Sequence, residues 1–370
     1  MNPTTPLLLR SPDTLLAATP HLLGFTPHDS VVIVGLAQHA DGTRHLVLTQ
    51  RLDTPSSHGL SPAQETAAAQ DAARVMAEEA GADSVIVSVW ASAHPDPDRE
   101  LPEAAFVDRL VDAMDARGIT TVDALYTDET RRWSYGCDDP ACCDPAGVVI
   151  PEQTKTLMAA EFALEGRAAA VSRAALQDEL TATPDPAVAV QIDRLRPEFT
   201  ADRPDPARRS WREQQVQALH QGAAAASISA EQVARTALAL ADIRIRDTYL
   251  WDLGQPGAAR TDAIAALAQV VRRAPAAHVT PAATVLALQH YQGGDGARAN
   301  IALDCALRQD PDYSLAHLAR MSLTAGLPPA AFTQSLAELP RDTCLDPVPV
   351  AASAPTPTAH HTTPPQGIAL

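Results

Sequence analysis

Residues 85–90 read VIVSVW, and this run of β-branched and aromatic side chains decides the fold of the front half of the chain. A short apolar run bounded by turn residues is typical of a buried strand. Residues 100–117 then show a helical pattern, and residues 121–126, TVDALY, form a second strand-like run. A strand, a helix and a strand in this order predict a sheet that is at least partly parallel, with helices packed against it.

The segments before this unit extend the same sheet. Residues 31–34 and 46–48 are two further apolar runs, and the Asp-Gly turn between them predicts an antiparallel pair. Helices are predicted over residues 12–23, with Ser11 as the cap of the first turn, and over residues 61–81, which begin with a capping box at Ser61. We therefore predict an α/β domain with a mixed sheet and flanking helices over residues 1–180.

The back half of the chain has a different pattern. After Thr154 the β-branched runs stop and Ala-rich helical periodicity takes over. Prolines concentrate in residues 181–207, which we interpret as the domain boundary because prolines at this density prevent long helices. Capping-box patterns that begin at Ser210 and Ser229 predict two helix starts. An all-α domain is expected over residues 208–345.

Three helical segments at residues 281–292, 295–308 and 313–324 follow one another closely. The middle one resembles the second half of a tetratricopeptide repeat, with small residues where helices cross and a proline that closes the unit. The residues with this spacing are Ala299, Leu303, Ala306 and Pro311. One repeat is legible where about three make an independent array, so the region is predicted to be only partly tetratricopeptide-like.

Three of the five cysteines lie within seven positions, at Cys137, Cys142 and Cys143. A zinc half-site is one interpretation, with zinc as the cofactor; the spacing offers two or three thiolates and lacks a second Cys-x2-Cys motif. A reactive thiol, a redox pair that joins Cys137 to one of the other two, and a Pro- and Asp-rich turn with packed cysteines are the alternatives. The turn is the simplest of these, and all four remain open.

A second group of polar and aromatic residues suggests a small-ligand cleft at the edge of the sheet, where open α/β sheets bind ligands. Arg51 and Asp53 alternate along one strand and so point to the same face. The competing interpretation is an ion pair that fastens the strand end. The candidate ligand-binding residues are Asp29, Arg51, Asp53, Trp133, Ser134 and Tyr135.

Several of these segments together resemble the bacterial family called domain of unknown function 4192. The resemblance begins with residues 9–12 and 22–36 and continues with Arg51-Leu52-Asp53. Its most distinctive stretch is residues 133–143, and residues 294–303 match its C-terminal signature. The resemblance implies an α/β front and a helical back, and it brings no activity, ligand or partner.

Composition limits the function. The net charge of −17 and a pI near 5.0 disfavour nucleic-acid binding, which depends on Lys and Arg at phosphates. We find neither a signal sequence nor a membrane span, which predicts a cytoplasmic protein, and the Arg-rich composition indicates a high-GC bacterial source. The Pro-rich tail at residues 346–370 is expected to be disordered.

The leading hypothesis is an accessory or regulatory protein whose helical part binds a protein partner. The alternative is an enzyme or a small-ligand or metal-binding protein with its site at residues 133–143, near Arg51 and Asp53. The hypotheses differ in which half of the chain carries the function.

Overall fold

The strand-forming runs assemble into one mixed sheet, seen in a computed structural model that describes residues 11–39, 42–96, 99–137, 139, 141–164, 166–224 and 228–345. Its strands are β1 (Ser30–Gln38), β2 (Arg44–Asp53), β3 (Ser84–Trp90), β4 (Thr120–Thr127), β5 (Arg131–Ser134) and β6 (Val148–Val149). They lie in the order β2-β1-β3-β4-β5-β6. Strands β3 and β4 are parallel and the other neighbours are antiparallel, which confirms the predicted mixed sheet.

Helices cover both faces of this sheet. They are α1 (Pro12–Leu23), α2 (Pro55–His58), α3 (Pro62–Arg74), α4 (Ala104–Asp115), α5 (Glu152–Leu164) and α6 (Arg173–Glu179). Helices α3 and α4 bury one face, which includes Ile33 and Val87. Helix α1 covers the other face, which includes Val32 and Val34. Successive side chains of β1 point to opposite faces of the sheet, so its β-branched residues contribute to the apolar cores on both faces.

Helix ends follow local capping chemistry. Helix α1 has its predicted span because the Ser11 hydroxyl accepts the Thr14 N–H at 3.2 Å, and Gly24 ends the helix at a φ of +82°. The helix predicted over residues 61–81 is shorter as an α-helix. It ends at Arg74 and continues as a π-helical turn over Val75–Glu79.

The second part of the chain is helical, as predicted. It contains α7 (Pro186–Thr200), α8 (Asp205–Ala223), α9 (Ala230–Ala241), α10 (Ile243–Gly254), α11 (Arg260–Arg273), α12 (Thr280–Gln292), α13 (Gly296–Gln309), α14 (Ser314–Thr324), α15 (Pro329–Ala337) and α16 (Arg341–Leu345). Helix α12 is almost entirely buried and forms the centre of this region.

Two local predictions in this part are wrong. Residues 181–207 contain the 15-residue helix α7, because Pro186 occupies its first turn, where no N–H is needed, and Val188 and Ile192 are buried in the helical core. Ser210 lies inside α8 and does not begin a helix. Ser229 does form the predicted capping box, at the start of α9. The position of the domain boundary itself stays a prediction.

The segments of the repeat-like region are helices α12, α13 and α14. Ala299, Leu303 and Ala306 of α13 are all buried, as close helix crossing requires. These helices lie where the sequence predicted them, while the likeness to a tetratricopeptide repeat remains a prediction. The predicted disordered tail, residues 346–370, lies outside the described residues.

The two parts of the chain pack against each other. Phe25, Leu176 and Ile301 form a shared apolar cluster, with each side chain at most 4% exposed. The Arg298 guanidinium lies 3.1 Å from a carboxylate oxygen of Glu179 beside it. Within the described residues, no helix is long and apolar enough to cross a membrane.

Candidate functional site

Trp133 of β5 anchors the segment in which the cysteines lie. Its side chain faces α3 and α4 and is 7% exposed. The ring meets that of Tyr126 edge-on, with 5.7 Å between centroids. Its indole N–H donates to the backbone oxygen of Pro145 at 3.0 Å, which satisfies a donor that burial would otherwise leave unpaired. This bond holds the chain after β5 against the sheet.

We call residues 136–147 the thiol loop. Gly147 ends the loop with a φ of +82° and packs so close to the Trp133 ring that a Cβ there would overlap the ring. The Arg131 guanidinium donates to the backbone oxygen of Gly147 at 2.6 Å and to that of Ala146 at 3.3 Å. The thiol loop is therefore fixed to the sheet at its C-terminal end.

The three cysteine sulfurs of the thiol loop lie together. The Sγ atoms of Cys137 and Cys142 are 3.1 Å apart, and those of Cys142 and Cys143 are 3.8 Å apart. All three Sγ atoms lie within 4.8 Å of one another. The five cysteines of the described residues are free thiols. The structure thus brings together the residues that the sequence proposed as metal ligands.

An Asp-based turn produces this arrangement. The Asp139 carbonyl accepts the N–H of Cys142 at 3.1 Å and that of Cys143 at 2.8 Å, while its carboxylate accepts the N–H of Ala141 at 2.9 Å. These bonds turn the chain back so that Cys142 and Cys143 return beside Cys137. A side chain that bonds backbone groups two residues on is typical of such turns.

The three thiols differ in acidity. Hydrogen bonding from Cys142, followed by a backbone hydrogen bond at Asp139, lowers the pKa of Cys137. The same contact with Cys137 raises the pKa of Cys142. Burial, followed by hydrogen bonds with its two neighbours, raises the pKa of Cys143 to about 12. The contact between Cys137 and Cys142 thus acts in opposite directions on the pKa values of the two thiols.

Tyr135 and Ser134 have local structural contacts. The Tyr135 hydroxyl donates to the backbone oxygen of Pro102 at 2.5 Å, and burial raises the pKa of this phenol. The Ser134 hydroxyl accepts the N–H of Gly136 at 3.3 Å. Both contacts are with backbone groups, and they fix the end of β5.

Arg51, Asp53 and Asp29 lie at the other edge of the sheet. Arg51 contacts the Asp53 carboxylate at 2.5 Å and donates through Nε to the Ser30 hydroxyl at 2.8 Å. His58 also contacts Asp53, at 3.2 Å. Asp29 has a φ of +44°, and its carbonyl accepts the N–H of Thr54 at 3.0 Å. This geometry matches an ion pair that fastens the end of β2.

The sheet separates the two groups of candidate residues. Neighbouring strands pair residue by residue, and these pairs form a row that runs across the sheet from Arg51 on β2 to Ser134 on β5. Strands β1, β3 and β4 lie between the two residues. At the usual strand spacing the row is roughly 19 Å long. Trp133 lies on the opposite face, in the row that ends at Leu52. These residues therefore do not line one cleft.

Sequence reasoning missed a pair of residues that follow the parallel strands. His94 comes after β3 and Asp128 after β4, and their side chains meet at 3.1 Å. Burial alone would raise the pKa of Asp128, but hydrogen bonds from Thr130, His94 and the backbone keep it below the ordinary value. His94 also meets Trp133 edge-on at 5.0 Å. The signal in the sequence was their position at the carboxyl ends of two strands.

A surface cavity of about 590 Å³ opens beside His94. It lies between the segment after β3 and the start of α4, and its polar lining includes Glu65, Arg99 and Glu103. Glu65 is already paired with Arg109, at 2.8 Å. The cavity is open and polar, unlike the enclosed, mostly apolar sites that bind small molecules.

In the helical part, α14 presents two large apolar side chains to solvent. Leu318 is 59% exposed and Met321 is 66% exposed, and three positions apart on a helix places them on one face. The other face of α14, with Ala316 and Ala319, is buried in the helical core. The outer face of α14 thus exposes two large apolar side chains beside the polar residues His317 and Thr324.

Fold and geometry together define a two-part protein, an α/β domain with a thiol loop and a helical region packed on it. The chain belongs to the family described as Domain of unknown function (DUF4192), whose family model matches residues 12–330. This confirms the predicted family, whose description names no activity. Neither the curated proteins nor the solved structures contain a match to the chain.

Proposed function

We propose that the chain is an accessory protein of the bacterial cytoplasm that binds another protein through the outer face of α14. The observation that carries this proposal is the exposure of Leu318 and Met321 on one helix face. Adjacent exposed apolar side chains are typical of interaction surfaces, whereas single ones are ordinary. The predicted likeness of residues 281–324 to a tetratricopeptide unit is consistent with it, because such units bury their faces by stacking.

Charge indicates the chemistry of the partner. The chain carries a net charge of −17, and Asp310 and Asp312 precede α14. A partner with complementary charge associates faster and with better specificity. The partner we propose is therefore an amphipathic helix that places an apolar stripe on Leu318 and Met321 and carries Lys or Arg at its margins.

A matched pair of double variants tests this proposal. The purified full chain, Leu318→Asp/Met321→Asp and the control Leu157→Asp/Leu164→Asp are each used to capture proteins from a lysate of the source organism. The control leucines lie on α5 and are 55% and 90% exposed. We expect one protein to be recovered by the wild type and the control and lost with the α14 variant.

The affinity of that protein, once purified, should be at least ~10-fold weaker for the α14 variant and should fall with added salt. Equal binding to both double variants would contradict the proposal. Analytical ultracentrifugation of the purified chain alone shows whether the chain forms a dimer. A dimer that forms with concentration and is lost in the α14 variant would show that a second copy, and not another protein, occupies this face.

A further inference from the structure

The thiol loop holds three soft donor atoms at a spacing that suits one metal ion. Tetrahedral Zn²⁺ with Zn–S bonds of about 2.3 Å separates its sulfur ligands by roughly 3.8 Å. The Cys142 and Cys143 sulfurs are 3.8 Å apart, the Cys137 and Cys142 sulfurs are 3.1 Å apart, and all three lie within 4.8 Å. Small side-chain movements would therefore complete three corners of a tetrahedron.

The backbone is already arranged for this site. The carbonyl of Asp139 fixes the amides of Cys142 and Cys143, and the anchor at Trp133 and Gly147 fixes the far end of the loop. Preorganised ligands lose less conformational entropy when a metal binds. Backbone hydrogen bonds, and not the sulfurs alone, thus hold the cluster together.

The charges of the loop favour a cation. The Asp139 carboxylate lies in the same turn as the three cysteines, where it accepts the N–H of Ala141 at 2.9 Å. The same negative charge attracts a divalent cation, and a bound metal replaces the thiol protons. Thiolate ligands select Zn²⁺ and other soft ions over Mg²⁺ and Ca²⁺. The negative charge of Asp139 and the soft sulfur donors of the loop therefore both suit a Zn²⁺ ion.

We propose that Cys137, Cys142 and Cys143 form a three-thiolate Zn²⁺ site with one coordination position left for water or an incoming donor. Within the described part of the chain, no fourth His, Cys, Asp or Glu joins this group. Zinc sites with three protein ligands keep such an open position, whereas structural sites are closed by four. The site lies in the α/β domain and is independent of the proposed partner surface on α14.

Elemental mass spectrometry with a free-thiol count tests the site. The full chain, Cys137→Ser and the control Cys305→Ser are purified with a non-thiol reductant, loaded with Zn²⁺ and dialysed. Cys305 lies on α13, outside the group. We expect one zinc per chain in the wild type and the control. The zinc affinity of Cys137→Ser should be at least ~10-fold weaker, because even the loss of a residue that only hydrogen-bonds a metal ligand costs that much.

Circular dichroism and thermal unfolding in the presence of a chelator show whether Cys137→Ser keeps the fold of the wild type. Several outcomes would overturn the proposal. One is a wild-type chain without zinc that has five free thiols. Another is a zinc-free wild-type chain that has three free thiols when it is purified without reductant, since two missing thiols then indicate a disulfide. Equal zinc affinity in Cys137→Ser would place the metal elsewhere.

Discussion

The indole of Trp133 lies directly on Gly147, so close that a Cβ added at Gly147 would be 2.4 Å from Cζ2 of the ring. Gly147 also has a φ of +82°, which L side chains rarely adopt. Steric space and backbone conformation thus both require glycine here. The contact fixes the C-terminal end of the thiol loop and, through it, the position of the cysteines.

Gly147→Ala should lower the free energy of unfolding by about 2–5 kcal/mol. Overpacking against Trp133 accounts for about 1–3 kcal/mol and the left-handed conformation for about 1–2 kcal/mol. Gly118→Ala is the matched control, because Gly118 has a φ of +73° with no heavy atom within 4 Å of the added Cβ. It should lose only the ~1–2 kcal/mol conformational part. Equal losses in urea unfolding of the two variants would show that the ring has room to move.

Ile301→Ala should destabilise the contact between the two parts of the chain. Ile301 is 2% exposed and packs with Phe25 and Leu176, so its truncation should cost about 2–5 kcal/mol. The control Ile243→Ala removes a side chain that is 57% exposed and should change the free energy of unfolding by at most ~0.5 kcal/mol. If calorimetry finds the same transition temperature for both variants, the two parts do not stabilise each other.

Asp252 should make the free energy of unfolding depend on pH in the acid range. Burial alone would raise its pKa, but hydrogen bonds from His220 at 3.1 Å and Arg341 at 2.6 Å outweigh burial and lower it. The unfolded chain, with an Asp pKa of about 3.9, then takes up the proton first. This contribution is present above that pH and is lost as the pH falls towards the folded-state pKa.

Asp252→Asn should therefore lower the free energy of unfolding at neutral pH by about 1–3 kcal/mol and flatten its decline in acid. Urea unfolding of the wild type and the variant over a pH series measures both effects. Asp193→Asn serves as the control, since Asp193 is 78% exposed in a surface pair with Arg196. Parallel pH profiles for wild type and Asp252→Asn would mean that this carboxylate contributes no acid dependence.

The sheet was predictable where its strands are continuous apolar runs. Residues 85–90 and 121–126 each fall within an observed strand, and the helix between them explains why β3 and β4 are parallel. Helix α7 was missed because the burial of Val188 and Ile192 outweighs the local effect of the prolines. Local propensity indicates which segments can form a helix or a strand. Tertiary packing then decides which of these segments adopt that structure.

The thiol cluster was predictable because its members are close in sequence. The separation of Arg51 from Trp133 was not, because strand order and face depend on long-range pairing. The contact between His94 and Asp128 was not predictable either. It exists because β3 and β4 are neighbours in the sheet. The sequence shows that each residue follows a strand-like run, but it does not show that the strands before these two residues, which are 34 positions apart, pair with each other.

X-ray absorption at the zinc edge tests the claim that three sulfurs of the thiol loop bind one zinc ion. For the zinc-loaded full chain we predict three sulfur neighbours at about 2.3 Å and one lighter atom at about 2.0–2.1 Å. The Cys137→Ser variant should lose a sulfur neighbour, and Cys305→Ser should give the wild-type spectrum. A zinc shell made of nitrogen and oxygen alone, or one unchanged in Cys137→Ser, would contradict the claim.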